Sequence, residues 1–410
     1  FYLFFTIRFF RSKGDDDMAT FIETMERLDA AVSNDAWIVH FPKDWTGYTP
    51  ISTPAELNAI RNDLSGKYYL TNDIVFTETD FAEGGAFHNE GAGWTPIGSN
   101  SSNAFKGMFD GNGYAIKNLY VNVNGSSNVY AGLFGYSTGT IKNLGMIDGE
   151  ITAETTSDYA YAYAGGIVGY LSSGAVTNCY NTGSVAGYDV GGIVGSSSGT
   201  VTDCYNTGTV DGSSYAGGIV GDLSSSGTVT NCYNTGSVDG YDAVGGIVGD
   251  SGGTVTNCYN TGYVEGSYAV GGIAGDSYGT VTNCYNTGTV DGSSYAGGIV
   301  GYLYSSVTAT VNNCYYLDNE LKGVGSGTDT CAKCTAVQMM QQSTFAGFDF
   351  DDVWTMAGNA DYLYPELQGV EMQFTKELES IAITTNPIKT NYLEAKDNLD
   401  LSDGKLTLTY

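Results

Sequence analysis

Cysteine, aspartate and tyrosine are the residues with chemistry to offer in this chain, and each returns at a near-constant interval. Cys179, Cys204, Cys232, Cys258, Cys284 and Cys314 each stand in a "NCYNTG" box or a close variant of it. One thiol per interval, held in register, makes a column. Such a column could form disulfides or bind a soft metal, or it could be a line of small buried apolar residues, the reading preferred here. Asp222, Asp250 and Asp276 follow a "GGIVG" or "GGIAG" box in successive intervals, and Asp211, Asp239, Glu265 and Asp291 form a second acidic series. Stacked carboxylates make the first series candidate calcium ligands, and two carboxylates a set distance apart in a groove are what glycosidic cleavage requires. Tyr205, Tyr233, Tyr259 and Tyr285, flanked by Tyr180 and Tyr315, would form an aromatic stripe. That stripe is a candidate ligand-binding platform for a sugar or a protein, or else a set of rings that stabilise their own sheet. The pairs Thr200/Thr202, Thr228/Thr230, Thr254/Thr256 and Thr280/Thr282 add a hydroxyl ladder. Such a ladder suits ice, although threonine is also an ordinary exposed strand residue.

Other chemistries are excluded by what is missing. The two histidines, His40 and His88, do not stand in HExxH, no GxSxG elbow is present, and no lysine follows the glycine boxes as a phosphate loop would need. The "CAKC" pair, Cys331 and Cys334, lacks a second CxxC or a nearby histidine, which favours a local disulfide or two free thiols over zinc. Lysine and arginine are nearly missing from 150 to 320, and the acidic positions recur along the repeat, whereas a catalytic site should be an exception to it. Polysaccharide cleavage by a β-helix lyase or glycosidase is therefore the alternative reading, ahead of a calcium- or ice-binding solenoid. With 45 acidic residues against 16 basic ones, the net charge is −29. A chain so negative does not hold nucleic acid through basic contacts. No segment has the length and apolarity of a bilayer span, so no membrane insertion is expected.

The elements that must position these residues follow from the period. The Gly-Gly of the box begins at 165, 191, 217, 245, 271 and 297, spacings of 26, 26, 28, 26 and 26, with a looser copy at 131–135. Segments rich in Val, Thr and Tyr, cut by Gly every five to eight residues, read as short strands between tight turns. Three strands and three corners fill 26 residues, which is one rung of a parallel β-helix. In "GTVTNCYNTGSV", Val229, Cys232 and Val238 should face inward and Thr228, Thr230 and Tyr233 outward. Val229 and Cys232 stand three apart, so strict alternation requires a bend, placed at Asn231, a residue type that tolerates left-handed backbone angles. The degenerate "GTIKNLGM" puts Ile141 and Leu144 at the Val and Cys positions, which marks both as core. The Gly-Gly pair marks a corner that needs positive φ or close backbone approach.

The wording "GGIVG…TVTNCYNTGSV" resembles the GLUG-motif repeats of bacterial surface and secreted proteins, some relatives of which sit within immunoglobulin A peptidases. The resemblance is strong over 160–317 and looser from 131. It implies that "ISTPAELNAI", "GKYYLTNDI" and "FKGMFDGNGYAIKNLYV" (51–122) are the entry to the solenoid, with "FDGNGYAI" a strand, tight turn and strand. "KCTAVQMMQQSTFAGFDFDDVWTMAGNADYLYPELQG" (333–369) looks like a closing segment. There a short amphipathic helix with Trp354, Tyr364, Pro365 and Leu367 would cover the open edge of the last rung. Residues 378–410 resemble the first strands of a bacterial immunoglobulin-like domain, cut short.

The expected fold is all-β: a right-handed parallel β-helix with small helical caps and a truncated immunoglobulin-like segment. Its parts are an irregular N-terminal segment (1–50), entry rungs (51–130), GLUG-type repeats (131–317), a C-terminal cap (318–370) and the start of the immunoglobulin-like domain (378–410). Seven repeat rungs would follow two or three entry rungs, with helices at 21–32 and 54–64. The expected role is a non-catalytic extracellular module at a bacterial cell surface, a monomeric stalk or adhesin without a cofactor, whose partner is a glycan or protein of a host or matrix.

Overall fold

Each 26-residue phrase makes one turn of a parallel β-solenoid, and like residues sit above like. The computed structural model describes residues 43–356, apart from 158, 306–308 and 318–319, together with 363–370, 380–383 and 406–409. One compact unit spans Thr46–Phe374. A single rung shows how its sequence works. Thr228–Thr230 forms a strand of the first sheet, Tyr233–Asn234 a strand of the second, and Val238–Gly240, Ala243–Gly245 and Val248–Ser251 three strands of the third. The next rung pairs with it in parallel register: Val229 beside Val255, Tyr233 beside Tyr259, Val238 beside Val264 and Asp250 beside Asp276. The first two sheets each run through ten strands and the third through 19. In the first sheet, three entry strands (Thr49–Ile51, Lys67–Leu70 and Met108–Asp110) precede seven repeat strands that begin at Thr140–Lys142 and end at Thr310–Asn312.

The bend expected at Asn231 is present. Its φ is 52°, and Asn143, Asn178, Asn257 and Asn283, with Asp203 in place of asparagine, repeat the left-handed turn at 52–54°. An L-residue pays for that conformation, and the amide offsets part of the cost. Nδ2 of Asn257 donates to Oδ1 of Asn231 at 3.1 Å, and Nδ2 of Asn283 to Oδ1 of Asn257 at 3.3 Å. After the bend, the chain turns Val229, Cys232 and Val238 inward, all fully buried.

A second amide ladder runs inside the coil. Asn181, Asn206, Asn234, Asn260 and Asn286 are buried, and Nδ2 of Asn234 donates to Oδ1 of Asn260 at 2.9 Å and to the Gly236 carbonyl at 2.8 Å. An unpaired buried amide would cost free energy, whereas one that is donor and acceptor at once is satisfied by its own copy. These amides also explain the Gly-Gly corner. The pair has ordinary φ, and the requirement is space: a Cβ on Gly218 would lie 2.2 Å from the Gly246 carbonyl oxygen and 2.4 Å from Asn234 Cγ.

The N-terminal helix over 54–64 forms as Pro54–Ala59 followed by a 3-10 turn at Ile60–Asn62, with the Thr53 hydroxyl accepting from the Glu56 amide and Leu57 and Ile60 buried. The closing segment departs from expectation. Trp354–Met356 and Pro365–Leu367 are paired antiparallel strands, and the helix is the single turn Ala336–Met339. Pro365 has no amide to give a helix interior, but it sits without loss in a two-stranded ribbon. Met339, Phe345, Phe348, Trp354 and Leu367 pack on Tyr259, Tyr285 and Tyr315, so this segment covers a sheet face. Ser380–Ile383 pairs antiparallel with Leu406–Thr409. The helix expected at 21–32, His40 and the rest of 378–410 lie outside the described residues.

The left-handed corner makes a test. Asn257→Ala should lower stability by about 1–2 kcal/mol, and Asn257→Gly by less, since glycine accepts the backbone angle and loses only the ladder bonds. Urea unfolding of the two variants beside the parent measures both.

Candidate binding faces of the solenoid

The cysteine column lies wholly inside. All six thiols are buried and free, and the Sγ of Cys232 donates to the Thr230 carbonyl at 3.2 Å and to the Val201 carbonyl of the preceding rung at 3.8 Å. Cys331 and Cys334 are free as well.

The tyrosine stripe is a stack of parallel rings. Tyr180, Tyr205, Tyr233, Tyr259 and Tyr285 follow one another at centroid distances of 5.0, 4.9, 4.9 and 5.1 Å, with interplanar angles of 8° or less. Of the two readings open from the sequence, a ligand platform or rings that stabilise their own sheet, the burial of the stripe favours the second. Tyr285 is fully buried and Tyr259 is 6% exposed under the closing segment, and Tyr180 is 4% exposed. Tyr205 and Tyr233 are half-buried. The stripe is where the C-terminal segment docks, because flat stacked rings offer that segment a large apolar area.

A different face concentrates tyrosine and aspartate. Two outward positions flank each Gly-Gly box. Two residues before it stand Tyr163, Asp189, Tyr215, Ala243, Ala269 and Tyr295; five residues after its first glycine stand Tyr170, Ser196, Asp222, Asp250, Asp276 and Tyr302. The second set pairs rung to rung as one column. The sheet folds at the glycines, so the two columns face each other across a trough. Rings mark the facing walls at both ends, Tyr163 to Tyr170 at 5.2 Å and Tyr295 to Tyr302 at 5.3 Å. Carboxylates occupy the middle. Ser196 Oγ donates to Asp222 Oδ2 at 2.9 Å. Asp189 is 2% exposed and Asp276 8% exposed, and one oxygen each of Asp189, Asp250 and Asp276 is buried with no hydrogen-bond partner.

Burial and crowding act together on these acids. Burial, then the Asp222 charge, pushes Asp189 up to about 8. Burial, then Asp222 and Asp276, pushes Asp250 up to about 7, and burial with Asp242 pushes Asp276 up to about 6. Burial also raises Asp222, against the lowering effect of the Ser196 hydroxyl. The Asp211, Asp239, Glu265 and Asp291 series lies in register on another part of the same sheet and is exposed. Among the described residues no three His, Cys, Asp or Glu side chains are grouped to hold a metal ion. His88 is engaged locally, its Nδ1 within 2.8 Å of the Phe81 carbonyl. Thr228, Thr230 and their copies face outward in register, as read from the sequence.

The sequence reading found Asp222, Asp250 and Asp276 but missed their neighbours Asp189, Tyr163, Tyr215 and Tyr295. The signal was present: these are the positions that vary beside a box that does not.

Residues 160–186, 186–211 and 266–291 match the GLUG motif, so the chain carries GLUG repeats. It is similar to Halomucin of Haloquadratum walsbyi, 34% identical over 151 residues that make up 35% of this chain and 2% of that protein. It is also similar to a "putative Gly-rich membrane protein" of Evansella cellulosilytica, 34% identical over 130 residues, 31% of this chain and 14% of the other. The matched stretch is thus a small part of each relative. Among solved structures, a "putative immunoglobulin A1 protease" from Bacteroides ovatus superimposes with a TM-score of 0.50 over 78% of this chain and 91% of its own, at 22% identity, which is a likeness of fold. No helix among the described residues is long and apolar enough to cross a membrane.

The raised carboxylates set the sign of a pH effect. A group that holds its proton more tightly when folded stabilises the fold below its unfolded value near 4, and that contribution is lost as pH rises through 6–8. The melting temperature should therefore fall between pH 5 and 8.5. Asp189→Asn should raise it by several degrees at pH 8 and flatten the profile, while Asp239→Asn on the exposed series should change it little. Calorimetry across that range checks both.

Proposed function

We propose that this chain is a non-catalytic extracellular module of a bacterial surface protein, a stalk or adhesin segment that presents its sheet faces to a glycan or protein of a host or matrix. The observation that carries this reading is the division of labour within the rung. Val229, Cys232, Asn234 and Ile247 and their copies keep the coil constant, while the trough positions change from Tyr to Ser to Asp to Ala. A scaffold with a fixed interior and a varied, tyrosine-walled face has the character of a recognition surface, since aromatic rings supply large, rigid contact area at low entropic cost. The relatives named for a mucin-like and a Gly-rich membrane protein support a surface location. The protease name of the structural neighbour adds no catalytic assignment, because at that identity it speaks for fold only. Carboxylates that recur on three successive turns suit a surface better than an acid–base pair, which is a local exception to a repeat.

Immobilised protein tested against a panel of glycans and extracellular-matrix proteins checks the reading. Tyr268→Ala/Tyr295→Ala should weaken binding at least tenfold, and Tyr205→Ala/Tyr233→Ala should weaken it less than threefold. Cleavage of a panel polysaccharide, abolished by one Asp→Asn change, would instead establish an enzyme.

A further inference from the structure

The buried asparagine columns of this coil find their hydrogen-bond complement in their own copies and in the main chain, and the neutral Ser251 and Ser277 hydroxyls are left without a partner, which costs far less than an unpartnered acid. The ionisable case is the trough, where one oxygen each of Asp189, Asp250 and Asp276 is buried without a partner. The chain supplies no cation for them over a long stretch: from Lys142 to Lys322 the sequence contains no Lys, Arg or His between the two. The rim of the trough is aromatic and open: Tyr268 and Tyr295, 42% and 41% exposed, meet edge to face at 5.0 Å, and Tyr241, 68% exposed, stands on the turn whose carbonyl accepts from the Tyr268 amide.

We propose that the trough binds a cationic segment of a partner protein, an extended stretch of arginine and lysine whose guanidinium and ammonium groups pair with Asp222, Asp250 and Asp276 and lie against the tyrosine rims. Three features point to this occupant. A guanidinium needs one carboxylate, or two on adjacent rungs, each pairing being a charge-assisted bond. It also stacks on tyrosine faces, which a compact ion does not. A divalent cation, by contrast, demands several oxygens around one point, and no three acidic, His or Cys side chains are so grouped among the described residues. The neutral face of a sugar would leave these crowded acids to hold their protons or repel one another, whereas a basic segment favours the ionised carboxylates and neutralises them as it binds. The proposal rests on the reading of the chain as a recognition module and specifies its ligand.

The test is fluorescence anisotropy with labelled hexa-arginine in 50 mM and 500 mM NaCl, alongside separate arms with spermine and calcium chloride. Hexa-arginine should bind at the lower salt. Asp250→Asn/Asp276→Asn should weaken it at least tenfold and Tyr241→Ala/Tyr268→Ala several-fold, while Asp239→Asn/Glu265→Gln, an equal loss of charge on the exposed series, should change it less than twofold. The rim tyrosines are exposed, so their variant folds even if the carboxylate pair affects folding; melting curves accompany all three. Absence of hexa-arginine binding overturns the proposal, as does an equal loss in both acidic pairs, which would mean diffuse attraction. Binding of spermine or calcium in preference to the peptide also overturns it, in favour of a small cation. Should hexa-arginine fail while the glycan and matrix panel still gives trough-dependent binding, the ligand class falls and the module reading stands; failure of both removes the module reading too.

Discussion

The structure depends on one constraint: in a parallel coil with in-register rungs, a side chain of the constant positions has a copy of itself about 4.8 Å above and below. Only residues that tolerate their own company can fill such columns. Valine meets valine through dispersion, as Val229 meets Val255. Asparagine carries donor and acceptor on one amide, so Asn234 and Asn260 satisfy each other where any one-sided polar group would be left unpaired. Tyrosine stacks on tyrosine at about the strand spacing. Cysteine turns its thiol onto main-chain carbonyls of its own and the preceding rung and needs no second thiol. The same rule explains the Gly-Gly corner, where successive turns approach so closely that a Cβ would strike the next rung and the buried amide.

Aspartate is the residue that breaks the rule. Two carboxylates one rung apart repel by about 0.9 kcal/mol in bulk water and by about 3.5 kcal/mol at the effective dielectric of a protein surface. The Asp239 and Glu265 series avoids most of that cost by facing solvent. The trough series does not, and its burial holds protons on Asp189 and Asp250 near neutral pH. In a fold built from self-compatible columns, the trough is the column that is not self-compatible, and the proposed basic ligand would supply what it lacks. Constancy and variation are thus divided between positions of one repeat, a fixed interior and a varied trough.

Much of the coil was legible in the sequence because a repeat carries its own register. The 26-residue period, the failure of strict alternation between Val229 and Cys232, and the Ile141 and Leu144 replacements were enough to place the inward residues and the left-handed corner at Asn231. Three things were not legible, each for a physical reason. The buried Asn234 column reads as polar and therefore exposed until its copy is placed above it. The two halves of the trough are separated by the Gly-Gly box, so Asp189 and Asp222 become neighbours only when the sheet folds there. The docking of the closing segment on Tyr259 and Tyr285 is a tertiary contact with no period to announce it, and Pro365 diverts that segment from the expected helix into a ribbon.

The trough carboxylates are given no cation by the chain itself. Carbon-13 NMR of the aspartate side chains, titrated from pH 3 to 9 without ligand, tests it most directly. Asp189 and Asp250 should lose their protons at about 8 and about 7, well above the ordinary carboxylate range. Titration of both below about 5 would mean that the trough is already neutralised or well solvated, and would contradict the burial of uncompensated carboxyls there.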